Sequence, residues 1–155
     1  MKKSLFAAAM LAACSFTMQA QTVVKHIQDE KAAIAKGVWA GDTFYLSGQL
    51  ASPVTAGAQP DYGDTKAQAA SVFSKIQAAL KEQGLDMKDV VKMTVFLGPD
   101  PKTGKMDFAG MQSEYVKYFG TKEQPNKPAR SAFQVAALAA PWAALEIEVI
   151  AVKSR

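Results

Sequence analysis

The sequence predicts an α+β fold, a mostly antiparallel six-stranded sheet with two helices packed on one face. Three observations predict it. Strand-like stretches flank a two-residue Gly41-Asp42 turn early in the chain. Two amphipathic helical stretches, each stopped by a glycine, are separated by the β-branched run Val90–Leu97. The chain then closes on Ala144–Val152, where Leu145, Ile147, Val149 and Ala151 alternate with Glu146 and Glu148. That period of two belongs to a half-buried antiparallel strand.

In order, Thr22–Ile27 is a short strand and Gln28–Lys36 a polar connection without a clear pattern. Gly37–Ala40 and Thr43–Leu50 form the hairpin, with Phe44 and Leu46 pointing one way and Tyr45 and Ser47 the other. Gly48 inside that strand marks a bulge or a close approach. Ala51–Gly63 carries two prolines and two glycines and reads as a loop. The first helix follows, capped by a Thr65/Gln68 box or by Asp64. Ala69, Val72, Phe73, Ile76 and Leu80 are spaced to make one apolar stripe, and Gly84 ends it with Leu85 packing back.

Gly98–Lys105 is a turn. Asp107 caps the second helix, with Phe108, Met111, Tyr115 and Phe119 on one side and Gly120 as its stop. The last two strands, Lys127–Leu138 and Ala144–Val152, read as a pair joined by a turn. The first opens behind Pro128, which suits a strand start or an edge. The order is thus β-β-β-α-β-α-β-β. The sheet face away from the helices carries Val90, Phe96, Ile150 and Val152 among polar residues, too apolar to be fully wetted, so it calls for a partner under closed symmetry.

The terminal pair sets one guanidinium, Arg130, at a strand mouth, and one or two carboxylates, Glu146 and Glu148, on the next strand. An arginine fork matches a carboxylate in a bidentate fashion, and a glutamate can hold or activate a water. The plain alternative is an ion pair or a solvated face.

Composition narrows the chemistry. The chain has 155 residues, with 49% hydrophobic and 21% charged residues, ordinary for one globular domain. Residues 1–20 read as a signal peptide, with Lys2-Lys3, an apolar stretch from Leu5 to Phe16 and cleavage after Ala20, leaving 21–155 as one domain in the periplasm or otherwise exported. Leu11-Ala-Ala-Cys14 offers a rival, a lipobox with a lipid anchor on Cys14; without it no membrane contact is expected. Lys2 and Lys3 are the leader's only charges, so its loss takes the net charge from +4 to +2. No basic run remains, which argues against a nucleic-acid partner. Cys14 is the only cysteine and His26 the only histidine. The mature chain then has no thiol nucleophile and no zinc ligand set, and any Ser-His-Asp triad would rest on His26, which reads as a strand side chain.

Pro128-Ala-Arg-Ser131, followed by Leu145-Glu-Ile-Glu-Val-Ile-Ala-Val152, resembles the closing signature of the RidA/YjgF family of reactive-intermediate (imine/enamine) deaminases. Ser47-Gly-Gln49, Gly63-Asp64, Gln68, Asp89–Phe96 and Tyr115–Phe119 fall in the family's order, so the resemblance spans about Gly37 to Val152. It implies a YjgF/chorismate-mutase-like homotrimer whose sheets enclose a barrel, with ligand clefts between subunits. It implies that Arg130 clamps a substrate carboxylate, that Glu146 positions the attacking water, and that Ser47 and Gly48 line the cleft. The implied reaction is hydrolysis of a 2-imino or 2-amino-enoic acid to a 2-keto acid and ammonia, without metal or cofactor. The chain departs from the family's deaminases at Ile34 or a neighbour, where they carry tyrosine, at Gln112 (asparagine) and at Ala132 (cysteine), and by a final hairpin one residue longer, with a bulky Trp142. A small-carboxylate-binding protein without chemistry is the alternative, and a ribonuclease reading, attached to some members, fits a lone histidine poorly.

Overall fold

A computed structural model describes residues 22–55 and 57–154. The expected leader, residues 1–20 with Cys14, lies outside the described residues. The strands are β1 (Val24–Ile27), β2 (Gly37–Ala40), β3 (Thr43–Gln49), β4 (Val90–Leu97), β5 (Ala129–Gln134) and β6 (Leu145–Val152). The helices are α1 (Thr65–Glu82) and α2 (Phe108–Tyr115), with a short 3₁₀ turn at Met87–Asp89. The six strands form one sheet in the order β1-β2-β3-β6-β4-β5, antiparallel except for the β4–β5 pair.

The Gly41-Asp42 turn joins β2 and β3 as expected, with Ala40 opposite Thr43. Gly41 has φ +61, and among the described residues no non-glycine, Asp42 included, has positive φ, the signature of a type II′ hairpin turn. α1 begins on Asp64, whose carboxylate accepts from Ala67 N–H at 2.9 Å. Of the two caps the sequence allowed, Asp64 is the one used. Thr65 and Gln68 are fully buried and make distant bonds instead. At the other end Gly84 N–H donates to Lys81 O and Leu85 N–H to Leu80 O, a Schellman closure with Gly84 at φ +71.

The core lies between α1 and one side of the sheet. Val72, Phe73, Ile76 and Leu80 pack with Met93, Val95, Leu145, Ile147, Val149 and Ala151, all buried. Gln68 crosses this core as a polar stitch. Its Oε1 accepts from Ala144 N–H at 2.8 Å, and its Nε2 donates to Trp142 O at 3.1 Å and Gly63 O at 3.3 Å. Trp142 stacks on Tyr62 at 3.6 Å between ring centroids.

Three expectations are corrected. β5 and β6 are not a hairpin, because β4 lies between them. The β4–α2–β5 segment is a crossover, which returns the chain parallel to β4, at the sheet edge. The strictly alternating β6 instead takes a central place, its apolar side fully covered. Val90 belongs to the core and not to the far face, because a bulge between Val90 and Lys92 shifts the strand's parity and leaves Val91 outside. α2 ends at Tyr115 rather than running to Gly120. Residues 116–119 continue as tight turns, yet still bury Phe119.

Candidate active site

The ladders decide which side chains share a face, since directly opposed residues point the same way. Met93 opposes Arg130 on one side and Val149 on the other. Arg130 therefore lies on the helix side of the sheet, beneath α2. Phe96 opposes Phe133 and Glu146, and Thr94 opposes Ser131 and Glu148. Both carboxylates thus lie on the far side. Arg130 and Glu146 are also offset by three residues along the strands and two strands across, ~10 Å in each direction. The expectation that one chain sets them near one another is corrected: they lie on opposite faces of its sheet, as two candidate half-sites.

The first half-site is built by α2 over β5. Asp107 caps α2 by accepting from Gly110 N–H at 2.8 Å. Phe108, Gln112 and Tyr115 then recur at i, i+4 and i+7, one stripe of the helix. The Arg130 guanidinium lies 4.2 Å from the Tyr115 ring centroid and 5.7 Å from that of Phe108. Arg130 Nη1 and Gln112 Oε1 are both buried and have no hydrogen-bond partner among the described residues. An orphaned donor and an orphaned acceptor under one helix are costly unless a ligand or another chain satisfies them. Tyr115 is buried against Phe73 and Phe119, and burial raises its phenol pKa while Arg130 pulls it down.

The second half-site is a β-bulge. Between Leu46 and Gln49 the β3–β6 register shifts, so Ser47 and Gly48 bow out beside Glu148. The Glu146 carboxylate occupies the space above Gly48, where an added Cβ would collide with Oε1. Any larger residue at 48 would push the Glu146 carboxylate out of this position. Ser47 Oγ donates to Ala35 O at 2.7 Å and its N–H to Lys36 O at 3.1 Å. That fastens the 28–36 segment, including the exposed Ile34, beside the bulge. The Ser47 hydroxyl supports the wall and keeps only acceptor capacity for a ligand.

The loop between β4 and α2 is held by Asp100, only 2% exposed. Its carboxylate accepts from Thr65 N–H (2.7 Å), Thr65 Oγ1 (2.8 Å), Lys102 N–H (2.9 Å) and Thr103 N–H (3.0 Å). Burial alone would raise its pKa. The bonds from Thr65 and the loop outweigh it and hold the group at about 2. Beside it Lys102 Nζ reaches Asp64 at 2.8 Å and, chiefly by that bond, lowers the Asp64 pKa. Among the described residues no cluster of His, Cys, Asp and Glu is arranged to hold a metal ion. His26 sits on β1 opposite Val38, across the sheet from β5.

The sequence singled out Arg130, Glu146, Ser47 and Gly48, and the structure joins the last three. The aromatic partners of Arg130 were missed. Phe108 and Tyr115 read as core, although their i, i+7 spacing around Gln112 was the available signal.

Fold and half-sites define the class, an α+β protein with a bulged strand beneath a glutamate and an edge-strand arginine beneath a helix. The chain belongs to the RidA/YjgF family: the Endoribonuclease L-PSP family model matches residues 16–153. It is 36% identical over 135 residues to a RutC family protein of Haemophilus influenzae, covering 85% of this chain and 98% of that one. It is 35% identical over 119 residues to the "Putative reactive intermediate deaminase TdcF" of Escherichia coli, covering 77% and 85%. The solved structure of E. coli TdcF with bound serine superposes with a TM-score of 0.65 at 32% identity, covering 84% of this chain and 99% of that one. Yeast Mmf1 superposes with a TM-score of 0.67 at 32% identity, covering 85% and 100%.

Proposed function

We propose that this protein hydrolyses reactive 2-imino and 2-amino-enoic acids to 2-keto acids and ammonia, at sites that two copies complete together. The observation that carries the reading is Arg130, a cation with a buried Nη1 that no described acceptor satisfies. A substrate carboxylate is the group that fits it. Glu146, above Gly48, lies on the opposite face, so a neighbouring copy must supply it to the same substrate. A closed trimer, each edge strand β5 against the next copy, would do this and would cover Tyr45 and Phe133, both exposed in the single chain.

In that site Arg130 fixes the carboxylate and hence the adjacent imine carbon. A 2-amino-enoic acid first tautomerises to the imine. Glu146 takes a proton from water as the water oxygen bonds to the imine carbon, and the C=N π electrons move to nitrogen, which takes a proton from solvent. Glu146 then returns its proton to nitrogen as the C–N bond breaks. The carbinolamine hydroxyl gives its proton to solvent as C=O forms, which returns the proton taken up at nitrogen and leaves keto acid and ammonia. The residues named need no cofactor for these steps.

Removal of the leader after Ala20 would place this activity in the periplasm or beyond, with an amino-acid oxidase as one source of imines. Mass spectrometry of the mature N-terminus distinguishes that cleavage from a lipidated Cys14.

The test is ammonia release from an oxidase-generated imine. Arg130→Ala should abolish the enzyme's contribution; a variant that clears the imine as fast as the parent refutes the mechanism. A second reading, a carboxylate-binding protein without turnover, is favoured by the serine bound to TdcF and by Gln112, Ala132 and Ile34 at the departing positions. Saturable binding of keto acids without any ammonia release would decide for it. Loss of any RNA cleavage on stringent purification would dispose of the nuclease implied by the family model's name.

A further inference from the structure

We infer that Tyr115 and Phe108 are positioning residues for Arg130, an aromatic clamp that orients the guanidinium while leaving its N–H donors free for a carboxylate. The inference rests on the carboxylate-binding half of the function proposed above. An arginine with a buried nitrogen can be oriented by a carboxylate of its own chain, which consumes the donors that a ligand would need. Here the orienting contacts come from ring faces 4.2 and 5.7 Å from the guanidinium carbon. A π face attracts the cation but accepts none of the in-plane bonds of the fork.

The surroundings give the clamp its rigidity. Tyr115 is 7% exposed, stacked on Phe119 at 4.9 Å and set edge-on to Phe73 at 6.2 Å. Its ring is therefore fixed by the core. Phe108 is 40% exposed and forms the outer jaw at the start of α2. Gln112, between them on the same stripe, carries the other buried unpartnered atom, so the polar edge of this half-site faces inward with neither group neutralising the other. The result is a cation fixed in orientation and still short of acceptors.

The test compares Tyr115→Phe, Tyr115→Leu, Phe108→Leu and Arg130→Ala in the full mature protein. Calorimetry measures pyruvate against pyruvamide, which lacks the charge, and the oxidase-coupled assay separates KM from kcat. Tyr115→Phe keeps the ring and should bind pyruvate as the parent does. Tyr115→Leu should weaken pyruvate by about tenfold and Phe108→Leu by about threefold. The same factors should appear in KM with kcat nearly unchanged, because the carboxylate is held alike in ground and transition states. Phe108 is partly exposed, so its variant tests the clamp even where Tyr115→Leu fails to fold. If Arg130→Ala loses pyruvate while both leucine variants match the parent, the clamp is refuted and the carboxylate site stands. If the parent takes up pyruvate and pyruvamide equally, or neither, both ideas fall. Because the binding measurement needs no turnover, pyruvate binding without ammonia release defeats only the deaminase reading, and the clamp is then judged on Kd.

Discussion

Asp100→Asn should destabilise the fold by ~3 kcal/mol at pH 7, and the deficit should shrink in acid. Four donors converge on this one carboxylate at 2.7 to 3.0 Å. An amide offers one accepting oxygen, so two of the four lose their acceptor and face an NH₂ group. Each buried donor left unpaired costs ~1–3 kcal/mol, and Thr65 is wholly buried. The pH dependence has a definite sign. The folded pKa is depressed to about 2 from 3.8, so the stabilisation is fully present above pH ~4 and lost as pH falls through about 2. A shift of that size corresponds to ~2 kcal/mol. Urea unfolding of parent and variant between pH 7 and pH 2 measures both effects. Comparing the two cancels most of what the other carboxylates contribute. A variant within ~0.5 kcal/mol of the parent at pH 7, or a gap that stays constant from pH 4 to pH 2, would refute the reasoning.

Two predictions concern the site. Gly48→Ala forces Glu146 off its position, so activity should fall on the order of a hundredfold while the melting temperature moves little; unchanged turnover would mean that the Glu146 carboxylate is not required there. Arg130→Ala and Glu146→Gln should each be inactive, yet in the proposed trimer mixed assemblies formed by co-expression should recover about a third of parental activity, since a site needs Arg130 from one copy and Glu146 from the next and each mixed trimer has one such intact junction. No recovery in verified mixed trimers would place both residues of a site in one subunit.

Much of the fold was legible because its local patterns carry it. The stripe Val72, Phe73, Ile76 and Leu80 and the alternation of β6 were both readable, and both lie in the core as expected. What the pattern could not give was pairing. Ala129–Gln134 reads as a strand in any register, and only the crossover through α2 decides that it lies parallel to β4. Thr65 and Gln68 have the spacing of a capping box, but a burial-driven demand from Asp100, Trp142 and Ala144 takes their side chains elsewhere. The bulge at Val91 inverted the parity of Val90, and period counting has no means to detect an extra residue. For the site, the chemistry of Arg130 and Glu146 was readable from type and from resemblance. Their separation onto two faces was not, since it depends on which strand lies between them.

The amide of Gln68 has a bearing on how this scaffold tolerates change. By gripping Ala144 and Trp142 from the helix, it fixes where β6 begins independently of the chain that leads there. Residues can be added or lost between Val135 and Pro141 as slack taken up upstream of a fixed anchor, and the glutamate two positions past that anchor stays at its address.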